Sequence, residues 1–143
     1  MQLVQSATSS RPDARRFCVM TVGRSGSTAL MNYLGKFTDI ALPCKDVDCV
    51  DNELLHPRMA AQYADTYARL CSFPVRTRDE LIECFYRHHA ASAYAGFKSM
   101  PNRHPDFEVF CLRPDIRFMA SIWRASAGAV GVRSGTRQPA CAR

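Results

Sequence analysis

One segment, Gly23-Arg-Ser-Gly-Ser-Thr28, puts two glycines, three hydroxyls and a guanidinium into six consecutive positions. Glycine lets a backbone turn tightly and approach a ligand closely. Backbone N–H groups at the start of a helix point outward and favour an anion. Here the N–H groups of Ser25, Gly26, Ser27 and Thr28 would line such a concavity, the three hydroxyls would add donors, and Arg24 would add a fixed positive charge. A phosphate or a sulfate is the group this loop suits. It lacks the lysine of the G-x-x-x-x-G-K-[ST] loop, so magnesium-dependent ATP hydrolysis is not expected. The plainer alternative is a polar turn ahead of a capped helix.

A second basic segment follows later. Residues 107–112 form an apolar run that ends at Arg113, and Ser121 stands eight residues beyond it, about two helical turns. Ligands of α/β sheets bind at the carboxyl ends of the strands. Read as a strand followed by a helix, the segment offers Arg113 as a second anion contact, and two such strand tips imply a ligand with two separated charges. Lys98 lies between Phe97 and Ser99, two residues before Met100, in another apolar run. A lysine is rarely buried without a partner, so a place near an anion is expected for it. Cys84 and His88 share a helical spacing with His89 adjacent, but a metal site needs more ligands than these, and none is expected. Trp123 reads as core.

The elements that must hold these residues follow from local pattern. Residues 17–22 are an apolar run without clean alternation, which suits a strand buried on both faces of a parallel sheet. Residues 29–34 continue as a helix with Leu30, Tyr33 and Leu34 on one face. Residues 38–55 read as irregular, and 56–71 as a helix with Pro57 in its first turn. Thr77 and Glu80 have the spacing of a capping box and open a helix running to about Ala91. Residues 94–99 and 107–112 read as strands, and 115–125 as a helix with Ile116, Met119 and Ala120 on its apolar side. Strands alternating with helices predict an α/β fold, a parallel sheet of three or four strands flanked by helices. The expected organisation is a flexible leader over 1–15, an α/β domain over 16–125 and a disordered basic tail over 126–143.

Composition narrows the function classes. The chain has 143 residues, of which 47% are hydrophobic and 22% charged, an ordinary globular balance. The net charge of +6 is not spread evenly: residues 1–115 carry 14 Lys and Arg against 13 Asp and Glu, and the last 28 residues carry five Arg and no acid. The body therefore has no basic stripe, and nucleic-acid binding is not expected. No apolar run approaches the ~18–20 residues of a membrane span. The seven cysteines are odd in number and form no C-x-x-C pair, and Cys18 and Cys111 sit in apolar runs. A disulfide framework is not expected, and a reducing, cytoplasmic compartment is.

The segment Gly23-Arg-Ser-Gly-Ser-Thr-Ala-Leu30 resembles the 5′-phosphosulfate loop of sulfotransferases that use 3′-phosphoadenosine 5′-phosphosulfate (PAPS). Leu112-Arg113 through Ser121-Ile-Trp-Arg-Ala125 resembles the family's 3′-phosphate segment, in which an Arg and a Ser eight apart hold the 3′-phosphate. Gly96-Phe-Lys-Ser-Met100 is similar to a G-x-K-x-M strand found between the two in the carbohydrate and bacterial glycolipid or Nod-factor-like branches. Pro114-Asp115 reverses the family's more usual order. The resemblance implies a P-loop-type sheet, incomplete relative to a full sulfotransferase domain, and transfer of a sulfuryl group from PAPS to a hydroxyl of a carbohydrate or glycolipid without a metal. It implies donor contacts from Arg24, Ser25, Gly26, Ser27, Thr28, Arg113 and Ser121, and catalytic roles for Arg24 and Lys98. An acidic residue follows the first helix in those branches, which implies Glu53 as the base, with His56 as second choice (or as a cap of the next helix) and Asp51 as third. The expected partners are the acceptor and, as an option, a second copy of the chain in a homodimer. The alternatives are a P-loop nucleotide or sugar kinase-like protein and a non-catalytic nucleotide-binding fragment.

Overall fold

The computed structural model describes residues 14–22 and 25–121, with Ser121 described by its backbone alone. The apolar run at 17–21 lies inside β1 (Arg15–Thr21), the second strand from one edge of the sheet. Cys18 and Val19 are wholly buried on opposite faces of it. The chain continues through α1 (Ser27–Leu34), the short β2 (Ile40–Ala41), α2 (Ala60–Cys71), α3 (Arg78–His88), β3 (Tyr94–Ser99), α4 (Phe107–Cys111) and β4 (Ile116–Ser121). The four strands are all parallel, in the order β2-β3-β1-β4. This is an α/β fold: a parallel sheet flanked by helices.

Parallel strands need crossovers, and the helices supply them while covering the sheet. On one face Met31 of α1 packs with Phe17, Val19 and Leu42. On the other, α2 and α3 bring Tyr67, Phe85 and Tyr86 against Cys18 and Phe97. Gly96 is required by the first of these layers, because a Cβ there would overlap the Phe17 ring. Among the described residues no helix is long and apolar enough to cross a membrane.

Several local expectations hold. β3 matches its expected range, and α3 opens with the capping box: the Glu80 N–H donates to Thr77 Oγ1 at 3.1 Å and the Thr77 N–H to Glu80 Oε2 at 2.9 Å. α3 stops at His88, earlier than expected. α2 starts at Ala60, preceded by a turn in which the His56 carbonyl accepts from the Met59 and Ala60 N–H groups. The stretch read as irregular contains β2 and a 3-10 turn, Pro43–Lys45. In α1 it is Met31 that is buried, whereas Leu30 and Tyr33 are exposed.

The last two elements are exchanged relative to expectation. The run read as a strand at 107–112 is α4, and the run read as a helix from 115 is β4. Only Phe110 of α4 is buried, packed edge-on against Phe118 at 5.0 Å between centroids, while Val109 and Leu112 face solvent. In β4 the inward positions are Ile116 and Phe118 and the outward ones Arg117 and Met119, a period of two. Cys111, read as a strand residue, belongs to α4. Cys44 and Cys49 are joined by a disulfide, contrary to the expectation of none, across a loop that brings their Cα atoms to 5.0 Å.

The expected leader extends over residues outside the description except Ala14, which is buried, and Arg15, which opens β1. The expected tail at 126–143 and Trp123 lie outside the described residues.

Candidate functional site

The carboxyl ends of β1 and β3 lie side by side, with Met20 paired to Ser99 and Val19 to Lys98. Out of β1 the chain turns into α1 through the glycine-containing loop. Gly23 and Arg24 lie outside the described residues. Gly26 has φ 74°, a left-handed conformation that glycine adopts without strain, and stands at the N-cap of α1. Ser25 and Ser27 are buried. Their hydroxyls meet at Thr21 Oγ1, which hydrogen-bonds Ser25 Oγ and donates to Ser27 Oγ at 3.0 Å. These two hydroxyls therefore brace the loop from inside. A phosphate group would be met by backbone N–H groups and by Thr28.

Thr28 is tied to Lys98. Lys98 is only 3% exposed, and its ammonium donates to Thr28 Oγ1 at 3.3 Å and to Asp51 Oδ2 at 3.1 Å. Its backbone N–H donates to the Asn52 carbonyl at 2.9 Å, which extends β3 pairing onto residues 52–53. Asn52 is buried with φ 60°, a region asparagine tolerates better than most residues. The Cys44 N–H donates to Asn52 Oδ1 at 2.7 Å, and the Asn52 N–H donates to Cys44 Sγ at 3.2 Å. The disulfide loop thus fixes Asn52, and Asn52 presents its two acidic neighbours to opposite partners.

Those neighbours differ in environment. Asp51 keeps 30% of its side chain exposed beside Lys98. Glu53 is 1% exposed and accepts from Arg103 Nε at 2.6 Å. Asp51, and not Glu53, is therefore the carboxylate linked through Lys98 to the loop. His56 accepts the Arg58 N–H on Nδ1 at 3.1 Å and so supports the turn into α2. Beyond β3, Ser99 Oγ and His104 Nε2 are 2.7 Å apart. Burial, reinforced by the Arg78 charge, pushes the His104 imidazole down to about 4. The Tyr63 hydroxyl is buried without a partner among the described residues, a cost of about 1–3 kcal/mol.

Arg113 is at the other end of the sheet. β4 runs parallel to β1, with Arg16 paired to Ile116 and Thr21 to Ser121. Ser121 thus ends beside Thr21 near the loop, whereas Arg113 precedes β4 at its amino end. There its guanidinium donates to Asp115 at 3.0 and 2.6 Å and to Glu83 at 2.5 Å. Arg16 joins the same two carboxylates at 3.1 and 3.4 Å. Hydrogen bonding to Asp115, opposed by burial and helped by Glu83, holds the Arg113 guanidinium well above its usual range. A strand rises about 3.3 Å per residue, so the length of β1 separates Arg113 from the loop by about 20 Å. One ribose cannot carry two anionic groups that far apart. The expected pairing of tips at 23–28 and 113–121 therefore fails at Arg113, because the segment after it is a strand and not a helix, while Ser121 does end beside the loop.

Two cavities adjoin these features. One of about 240 Å³ lies at the amino end, lined by Arg16, Glu83, Tyr86 and Arg87 among others. The other, of about 350 Å³, lies between α1 and the disulfide loop and reaches Asn52. Thr21, Asn52, Arg103, Ser99 and His104 were not singled out by sequence reading; Asn52 and Arg103 act through backbone geometry and a distant carboxylate, for which sequence spacing holds no signal. No family model, curated protein or solved structure matches the chain.

Proposed function

We propose that the carboxyl end of the sheet binds the phosphosulfate of PAPS and that the chain is a sulfotransferase-like protein, moving a sulfuryl group to a hydroxyl of a carbohydrate or glycolipid. The observation that carries this reading is Lys98: a buried ammonium at the tip of β3, bonded to Thr28 in the first turn of α1. Sulfuryl transfer, like phosphoryl transfer, is mainly positioning and charge stabilisation. Negative charge develops on the bridging oxygen as the sulfur–oxygen bond breaks. A cation in a water-poor setting stabilises that charge more than one in bulk water does. Lys98 fills that role, with Arg24 as the second cation by its place in the loop sequence. Asp51, partly open to solvent, takes the proton of the acceptor hydroxyl. Glu53 and Arg103 hold the segment that carries Asp51. Arg113 has no part in this scheme.

The test is thermal unfolding of the purified chain with 3′-phosphoadenosine 5′-phosphate. A ligand that binds only the folded state raises the melting temperature. A rise is expected, and Lys98→Met should remove most of it. No rise, or a rise that Lys98→Met leaves intact, overturns the proposal. A rise seen only with ATP and magnesium would favour a kinase-like protein instead.

A further inference from the structure

Away from that end, three side chains of metal-binding type converge between the loop after β2 and the end of α3. Asp46, His88 and His89 each present one ligand atom, and these atoms lie within 4.8 Å of one another. Successive helical residues point about 100° apart, which ordinarily keeps neighbouring imidazoles from sharing a ligand. Here the helix ends between them: His89 leaves helical geometry with φ −101° and ψ 18°. The bend brings the two rings to 4.6 Å between centroids.

Asp46 is delivered from the other side. It caps the 3-10 turn Pro43–Lys45, its N–H donating to the Pro43 carbonyl at 3.0 Å, and the Cys44–Cys49 disulfide closes the loop around it. Tyr67 donates its hydroxyl to Asp46 Oδ2 at 2.7 Å, and His89 Nε2 stands 2.5 Å from the same oxygen. A carboxylate ligand is commonly oriented by such an outer hydrogen bond. The side chains of His89 and Asp46 are 12% and 14% exposed. His88, by contrast, faces solvent, and among the described residues no hydrogen bond uses its ring. The cluster is thus hydrogen-bonded on two sides and open on the third.

We propose that Asp46, His88 and His89 form a binding site for a divalent transition-metal ion of the zinc class, with its remaining position open to solvent. Two imidazoles and one carboxylate make a mixed nitrogen and oxygen donor set, which suits Zn²⁺ and not the all-oxygen shells of Ca²⁺ or Mg²⁺. Ligands about 2.0–2.1 Å from a tetrahedral ion stand about 3.4 Å apart. The Asp46–His89 contact must therefore open and the His88 ring close in, both by side-chain rotation. As the metal takes the place of a hydrogen on His89 Nε2, the neutral ring carries that hydrogen on Nδ1 instead.

The probe is Zn²⁺ alone, added to the metal-free, oxidised full chain at micromolar free concentration, with bound metal measured after equilibrium dialysis. One ion per chain is expected, together with a rise in melting temperature. His88→Ala should lower the affinity at least about ten-fold and abolish that rise, and Tyr67→Phe should lower it about ten-fold through loss of the outer hydrogen bond. Because His88 is exposed, its removal leaves the fold and every cysteine in place. Failure to bind one ion, or binding that His88→Ala does not weaken, overturns the proposal; the second result would put the ion on thiols elsewhere. Nucleotide binding at the carboxyl end is read separately and does not bear on the outcome.

Discussion

His104 stacks on Phe110, with 3.9 Å between ring centroids, and its Nε2 lies 2.7 Å from the Ser99 hydroxyl. Ser99 is fully buried and Phe110 nearly so, so a charge on this ring would have little water to stabilise it. The imidazole, normally near 6.5, titrates at about 4 in the folded chain. Between those two values the unfolded chain binds more protons than the folded one, and stability rises with pH across that window. His104 therefore contributes fully above pH 6.5, and its contribution is lost as the pH falls toward 4. The loss is at most on the order of 3 kcal/mol, at about 1.4 kcal/mol per pKa unit. Urea unfolding at pH 7 and at pH 4.5 should show it as a lower midpoint at the acid value. His104→Phe should flatten that part of the profile; an unchanged slope would mean that the ring is not held neutral. Asp115, held below the usual carboxylate range chiefly by its hydrogen bond from Arg113, loses its contribution only further down, below its ordinary 3.8.

At the scale of elements, the layer between α1 and the sheet depends on one missing side chain. Gly96 lets the Phe17 ring lie flat over β3, and any Cβ there meets ring atoms. Gly96→Ala should destabilise by about 1–3 kcal/mol, the usual cost of overpacking, seen as a fall in melting temperature. Gly96→Ala with Phe17→Leu should recover part of it. Elements governed by neighbours in sequence were legible along the chain. β1 and β3 are short apolar runs bounded by polar residues, and α3 announces itself by the reciprocal Thr77 and Glu80 bonds. α4 and β4 were not. A six-residue apolar run fits a strand and a short helix equally. The choice is made by partners far away: Phe110 packs on His104 and Phe118, and β4 pairs with β1 along its whole length.

For the whole molecule, the consequence is that two groups of charges among the described residues lie at opposite ends of the sheet. Lys98, Asp51 and the loop lie at the carboxyl end; Arg16, Arg113, Glu83 and Asp115 form a network at the amino end. Arg113→Ala should therefore leave the shift produced by 3′-phosphoadenosine 5′-phosphate unchanged while lowering stability by about 1 kcal/mol or less, since the pairs are partly exposed and screened by salt. Thermal unfolding with and without the nucleotide measures both effects, and a lost shift would return Arg113 to the site. The glycine loop, the cap of α3, the strand at 94–99 and the alternation of strands with helices could be read from the residues themselves, because turns, caps and apolar runs act over a few positions. Which end of the sheet Arg113 reaches, which carboxylate faces Lys98, and whether Ser25 and Ser27 point outward could not. Those depend on strand direction, register and burial, and only packing between segments distant in sequence decides them.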